Sequence, residues 1–176
     1  SSHGLTIDKQ RVLNGWIRDI IHDEKNNSVW VASNEGLNKL KQTNLGWQLS
    51  DTILKETQII SIDFDDETEL LYAITFEGHL YEVSRQGKPK LISSLPNQVQ
   101  AYKLKLKKKN LFYFATNKGL WIYNQNENSW KSLNILSGLA SNNIQSLCFA
   151  NETLCLATGR GLQIVPTKIS EQNKTA

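Results

Sequence analysis

Four stretches of this chain align on a glycine at a nearly constant spacing, and that period constrains the fold more than any other feature. They are SVWVASNEGLNKL (28 to 40), LLYAITFEGHLYEV (70 to 83), LFYFATNKGLWIY (111 to 123) and LCLATGRGLQIV (154 to 165). The anchoring residues Gly36, Gly78, Gly119 and Gly161 lie 42, 41 and 42 residues apart. Three residues before each comes Ser33, Thr75, Thr116 or Thr158, and six before comes Trp30, Tyr72, Tyr113 or Cys155. Another short apolar stretch lies upstream of each unit, at 17 to 23, 59 to 65, 99 to 106 and 143 to 150, so each repeat opens with a hairpin. The alternating pattern, rich in Val, Ile, Trp, Tyr and Phe and broken at Asn, Asp, Gly and Lys clusters, is that of short antiparallel strands. Helical solenoids of similar period need apolar residues at i, i+3, i+4 and i+7, which are missing here.

A further strand follows in three repeats, at 46 to 50, 88 to 94 and 129 to 133. Four strands in about 42 residues is the size of one blade of a β-propeller. The expected class is all-β, with four-stranded antiparallel blades near 15 to 52, 57 to 95, 97 to 134 and 141 to 166 of a single domain spanning 1 to 176. Each anchoring glycine would turn the second strand into the third at positive φ. The hydroxyl ahead of it would bond nearby backbone. Trp30, Tyr72 and Tyr113 recur in register and read as core, and Trp47 and Trp130 as packing between blades.

Composition narrows the function classes. The 176 residues are 39% hydrophobic and 21% charged, enough for a real core. No apolar run approaches the roughly 18 residues of a membrane-spanning helix, so direct membrane insertion by this segment is not expected. A net charge of +3 is too small to be the footprint of a nucleic-acid binder. The chain holds no methionine, which fits a processed chain or a piece of a longer one.

The phrases VWVASNEGL and LSGLASNNIQSL resemble the two-component regulator propeller repeat, and the likeness covers about nine-tenths of the chain. The second repeat departs from the pattern at His79, and the third replaces the acidic hairpin with KLKLKKKN (103 to 110). Neither the Gly-Gly pair of kelch repeats nor the Gly-His and Trp-Asp of WD repeats recurs. The resemblance implies a periplasmic or otherwise extracytoplasmic sensor region, tethered through a parent membrane protein, with any kinase or cyclase activity in other domains. It implies a partner that is a small molecule, an oligosaccharide or a protein, and it is compatible with a dimer of the parent protein. A rigid interaction or secretion scaffold is the alternative.

The fourth repeat is one strand short, ending near Pro166 before the polar tail 167 to 176. The segment LTIDKQRVL (5 to 13) is strand-like and could supply the missing strand, closing a four-bladed ring. Equally, it reads as the last part of a preceding blade in a ring of seven or eight.

The sequence contains no nucleophile elbow, zinc-protease motif, P-loop or dinucleotide fingerprint, so no catalytic residues, no enzyme activity and no cofactor are expected. The three histidines are not at ligand spacing with the cysteines, so no metal site is expected either. Cys148 and Cys155 flank a tight turn at Asn151 and Glu152 and would lie opposite one another on paired strands, within disulfide reach or as two small buried residues. The cluster Asp63, Asp65, Asp66, Glu67 and Glu69 lacks the ligand order of a calcium loop and reads as a solvated hairpin tip. Lys103, Lys105, Lys107, Lys108 and Lys109 read as a solvated hairpin that discourages edge pairing, with anion binding as the alternative.

If the first strand of each blade is innermost, the turn before each glycine and the linker into each repeat share one rim. That rim would present Trp16, Asn34, Glu35, Phe76, Glu77, Asn117, Lys118, Asn142, Asn143 and Arg160, joined by Asn14, Asn97 and Gln98. Amides beside an aromatic suit a carbohydrate, by hydrogen bonding and ring stacking. Turn chemistry alone also accounts for most of these residues.

Overall fold

A computed structural model describes residues 12–108 and 110–166. Alternating apolar residues and punctual turns give four antiparallel sheets in chain order. The first holds β1 (Ile17–Asp23), β2 (Ser28–Ser33), β3 (Gly36–Thr43) and β4 (Gly46–Ile53). The second holds β5 (Ile59–Asp65), β6 (Leu70–Thr75), β7 (His79–Val83) and β8 (Pro89–Ser94). The third holds β9 (Ala101–Lys108), β10 (Leu111–Thr116), β11 (Gly119–Asn124) and β12 (Ser129–Leu133). The fourth holds only β13 (Ile144–Ala150), β14 (Thr153–Thr158) and β15 (Gly161–Pro166) among the described residues. Residues 5 to 11 of the strand-like N-terminal segment and the tail 167 to 176 lie outside the described residues.

The turn chemistry follows the sequence closely. Gly36, Gly78, Gly119 and Gly161 all have positive φ, between 86° and 134°. Ser33, Thr116 and Thr158 each donate to the carbonyl of the glycine three residues on, at 2.7 to 3.0 Å. The same hydroxyls accept from the N–H groups of Glu35, Lys118 and Arg160, which locks the turn. The second repeat differs because its turn is one residue longer, and Thr75 accepts from the His79 N–H instead.

Each sheet lays one face on the next, and the first strands carry much of that contact: β1 lies along β5, β5 along β9 and β9 along β13. Every first strand also carries an irregularity in its pairing near its start, between Ile17 and Asp19, Ile59 and Ser61, Ala101 and Lys103, and Ile144 and Ser146. These bulges turn Arg18, Ile60, Tyr102 and Gln145 out of the ladder.

Three apolar clusters fill the spaces between sheets. Trp30, Ala32, Leu37 and Ile53 of the first sheet meet Ile59, Ile62, Leu71, Ala73 and Val83 of the second. Between the second and third sheets, Tyr72 meets Phe112 edge-on at 4.7 Å, and the Trp130 indole N–H donates to Ser93 at 3.1 Å. The third cluster sets Tyr113, Ala115, Leu120 and Leu133 against Ile144, Leu147, Leu154 and Leu156. Each fully buried side chain of this kind contributes on the order of 2 kcal/mol. No comparable packing joins the fourth sheet to the first among the described residues, so the sheets form an open series.

Two expectations need correction. The acidic hairpin is not simply a solvated tip, because Asp63 and Asp65 are buried. Asp63 accepts from the Leu106 N–H and the Lys105 ammonium at 2.6 Å each, tying β5 to β9. Asp65 caps its own turn through the Glu67 N–H and the Thr68 hydroxyl. Nor is the lysine run wholly solvated, since Lys103 reaches Asp19 of β1 at 2.7 Å. Charges inside the stack survive because each is paired and hydrogen-bonded.

Candidate functional site

The lead-in to each first strand meets the glycine turn of its own sheet by backbone pairing. The Asn34 N–H donates to the Trp16 carbonyl, Phe76 to Gln58, Asn117 to Gln100 and Gly159 to Asn143, at 2.8 to 3.2 Å. Trp16, Asn34, Phe76, Asn117 and Asn143 are thereby placed at the same end of their sheets, with Glu35, Glu77, Lys118, Asn142 and Arg160 beside them in chain.

The structure divides these residues by what their side chains do. Asn34 Oδ1 accepts from the Trp16 N–H, and Asn117 Oδ1 accepts from the Gln100 N–H, each at 2.9 Å. Asn142 Oδ1 accepts from the Ile135 N–H at 2.9 Å, and Asn143 Oδ1 from the Gln145 amide at 2.8 Å. Asn34, Asn117 and Asn142 thereby fasten backbone turns, the physical reason Asn favours such positions, whereas Asn143 bonds another side chain. Lys118 Nζ reaches Gln98 Oε1 at 3.3 Å. Glu35, Glu77 and Arg160 are exposed, and Phe76 and Trp16 present 46% and 71% of their surface.

Between these turns lies a concavity of about 270 Å³ lined by Arg18, Ile60, Phe76, Gln100, Ala101 and Tyr102. Three sheets contribute to it. Arg18, Ile60 and Tyr102 occupy the bulge position of three consecutive first strands, so the bulges that break the ladder also aim these side chains into one hollow. The Arg18 guanidinium lies 5.3 Å from the Trp16 ring centroid, which joins the tryptophan to the hollow's edge by a cation–π contact. The volume suits one ring-sized group rather than a large cofactor. Its chemistry is one cation, one phenol, one amide and an apolar floor.

Of the expected rim residues, Phe76 lines this hollow, and Trp16 touches it through Arg18. Arg160 and Asn143 belong to the fourth sheet and do not line it. Arg18, Ile60, Gln100 and Tyr102 escaped the sequence reading: three of them sit at bulges, where the first strand outruns its partner by one residue in β1 and β5 and by two in β9, and Gln100 lies just before β9.

Cys148 and Cys155 are directly opposite on β13 and β14, and both are free thiols in the structure. Burial, with the neighbouring Cys148, pushes the Cys155 thiol up from its ordinary value. Among the described residues no group of three or more His, Cys, Asp or Glu could hold a metal ion. None of their helices is long and apolar enough to cross a membrane.

No family model matches the chain, and no curated protein matches it. Solved structures do resemble it. The extracellular domain of BT3049 from B. thetaiotaomicron, described as a hybrid two component system, superposes with a TM-score of 0.70 at 14% identity over 92% of this chain. That of BT4673, likewise described, gives 0.67 at 20% identity over 84% of this chain. PorZ, a surface component of the type-IX secretion system of Porphyromonas gingivalis, gives 0.68 at 16% identity over 86% of this chain. At such identities the likeness is one of fold. The chain spans 24%, 21% and 26% of those three structures respectively.

Proposed function

We propose that this chain is an arc of a β-propeller, part of a non-catalytic extracytoplasmic domain that binds a small molecule or oligosaccharide on one rim, as the sensing region of a two-component regulator would. The observation that carries the reading is the hollow built by Arg18, Ile60 and Tyr102 from equivalent positions of three sheets, because a ligand there bridges sheets. Binding across sheets favours one relative arrangement of them, and that bias is what a sensing domain passes to its neighbours. The 42-residue period, the blade-sized sheets and the similarity to extracellular domains described as two component systems support it.

A thermal-shift screen of acidic and neutral oligosaccharides and small planar acids tests it. The reading predicts at least one compound that raises the melting temperature of the wild type and loses that effect in Arg18→Ala and Tyr102→Ala. A screen with no stabiliser, or one whose effect survives both substitutions, contradicts it. The scaffold alternative draws on the similarity to PorZ, and it predicts no small stabiliser together with a protein partner whose capture is insensitive to both substitutions.

A further inference from the structure

The lead-ins to the first strands are equivalent in backbone but not in chemistry. Trp16, Gln58 and Gln100 present the same carbonyl to the glycine turn of their own sheets, so the residue before each, Gly15, Thr57 or Val99, holds one place in the repeat. Thr57 and Val99 donate their N–H groups to the Leu54 and Pro96 carbonyls, three residues back, at 3.2 and 3.1 Å. Gly15 makes no such bond, and its N–H has no acceptor among the described residues. The residue before it, Asn14, is exposed, and its side chain has no partner among the described residues. This is also the one place in the chain where glycine follows asparagine.

The fold requires that glycine. Its φ is +92°, and a Cβ there would stand 2.7 Å from Asn34 Oδ1, the atom that accepts the Trp16 N–H. An asparagine followed by an unbonded glycine amide is a labile pair, since no side chain screens the glycine nitrogen from the asparagine Cγ and no hydrogen bond holds it away.

We propose that Asn14 converts to an isoaspartyl residue in the folded protein, with water the only reactant, and that the conversion unhooks the lead-in to β1. The Gly15 nitrogen attacks Asn14 Cγ, forming an N–Cγ bond as the Cγ–Nδ2 bond breaks. The side-chain nitrogen leaves as ammonia with the Gly15 proton, and a cyclic imide remains. Water then opens the ring. Opening at the backbone carbonyl routes the chain through the side-chain carbon, which adds a methylene to the backbone and leaves a free carboxylate. Two hydrogen bonds fix the lead-in, from the Trp16 N–H to Asn34 Oδ1 at 2.9 Å and from the Asn34 N–H to the Trp16 carbonyl at 3.2 Å. A longer backbone just ahead of Trp16 breaks that register, because Gly15 already packs against the Asn34 side chain. Trp16 carries the cation–π contact to Arg18, so the modification reshapes the edge of the hollow. The inference does not rest on ligand binding there.

The test holds the folded wild type in mildly alkaline buffer made with heavy-oxygen water, then digests it in ordinary water and maps the peptides. The tryptic peptide 12 to 18 contains no other asparagine. It is expected to gain an isoaspartyl group carrying a heavy oxygen, faster than any other asparagine-containing peptide. Asn14→Gln, whose longer side chain must close a larger ring, is expected to keep the wild-type circular dichroism and to take up no label. In the aged wild type the Trp16 amide is expected to exchange with solvent on the order of tenfold faster than in fresh protein, and in Asn14→Gln aged alongside at an unchanged rate. No label at Asn14, or label only after urea has unfolded the chain, overturns the conversion. Label at Asn14 with unaltered Trp16 exchange overturns the unhooking.

Discussion

Replacing Gly119 and Gly161 by alanine, one at a time, separates backbone strain from steric exclusion at equivalent turns. Their φ values are 100° and 107°, so both substitutions incur a similar conformational cost of about 1–3 kcal/mol. The surroundings differ. A Cβ on Gly119 would lie 2.1 Å from the Leu133 carbonyl oxygen, which is backbone of the neighbouring β12. Nothing lies within 4 Å of a Cβ on Gly161, because the fourth sheet lacks that strand among the described residues. To reach ordinary contact, the end of β12 must move by about 1 Å or more, which loosens the Leu120–Leu133 pairing and adds on the order of 2 kcal/mol. At about 2–4 °C per kcal/mol for a chain of this size, Gly161→Ala lowers the melting temperature by about 2–12 °C, and Gly119→Ala lowers it by at least ~4 °C more. Calorimetry of the two variants and the wild type reads this difference directly. Equal shifts, or a larger loss at Gly161, would refute the view that the fourth strand sits over the glycine turn.

Three further outcomes follow from particular contacts. Asp63→Ala leaves the Leu106 N–H and the Lys105 ammonium without their acceptor inside the stack, and urea melts are expected to show a loss of about 2–3 kcal/mol, larger than for the exposed Asp51→Ala. Burial, with the nearby Glu82 and Asp65 charges, pushes the Tyr72 phenol up to about 12. The folded state thus resists ionisation that the unfolded chain undergoes near 10, so stability holds below about pH 10 and falls as pH climbs towards 12. Tyr72→Phe removes that part of the slope in melts across the range, and an unaltered slope contradicts the assignment. Because Cys148 and Cys155 are cross-strand partners, mild oxidation is expected to join them within one chain, seen by intact mass under non-reducing conditions. Two persistently free thiols after oxidation count against the pairing.

How far the sequence could be read depends on what each feature encodes. The sheets were legible because their signals are local and repeated: the glycine that needs positive φ, the hydroxyl that closes the turn, and the alternation that sets the strand faces. Even β12 falls on the SWKSL segment, Ser129–Leu133. Trp30, Tyr72 and Tyr113 were legible as core for the same reason and are 3%, 1% and 1% exposed. The polar links between sheets were not, because the Asp19–Lys103 and Asp63–Lys105 pairs join residues 84 and 42 apart whose proximity only the stacking creates. Read alone, an acidic run and a lysine run look like two solvated hairpins. Arg18 and Tyr102 stayed hidden for a third reason: a bulge is a mismatch of register, and composition does not show on which residue it falls. The rim amides were visible as a set, but most of them turned out to fasten the backbone.

The proposed ligand site is the hollow between three first strands. The most direct measurement is an amide chemical-shift titration with the compound that stabilises the wild type most. Arg18, Ile60, Phe76 and Tyr102 are expected to shift together and saturate with one affinity, while residues of the outer strand Gly46–Ile53 stay still. Shifts confined to the outer strands, or to one sheet alone, would contradict it.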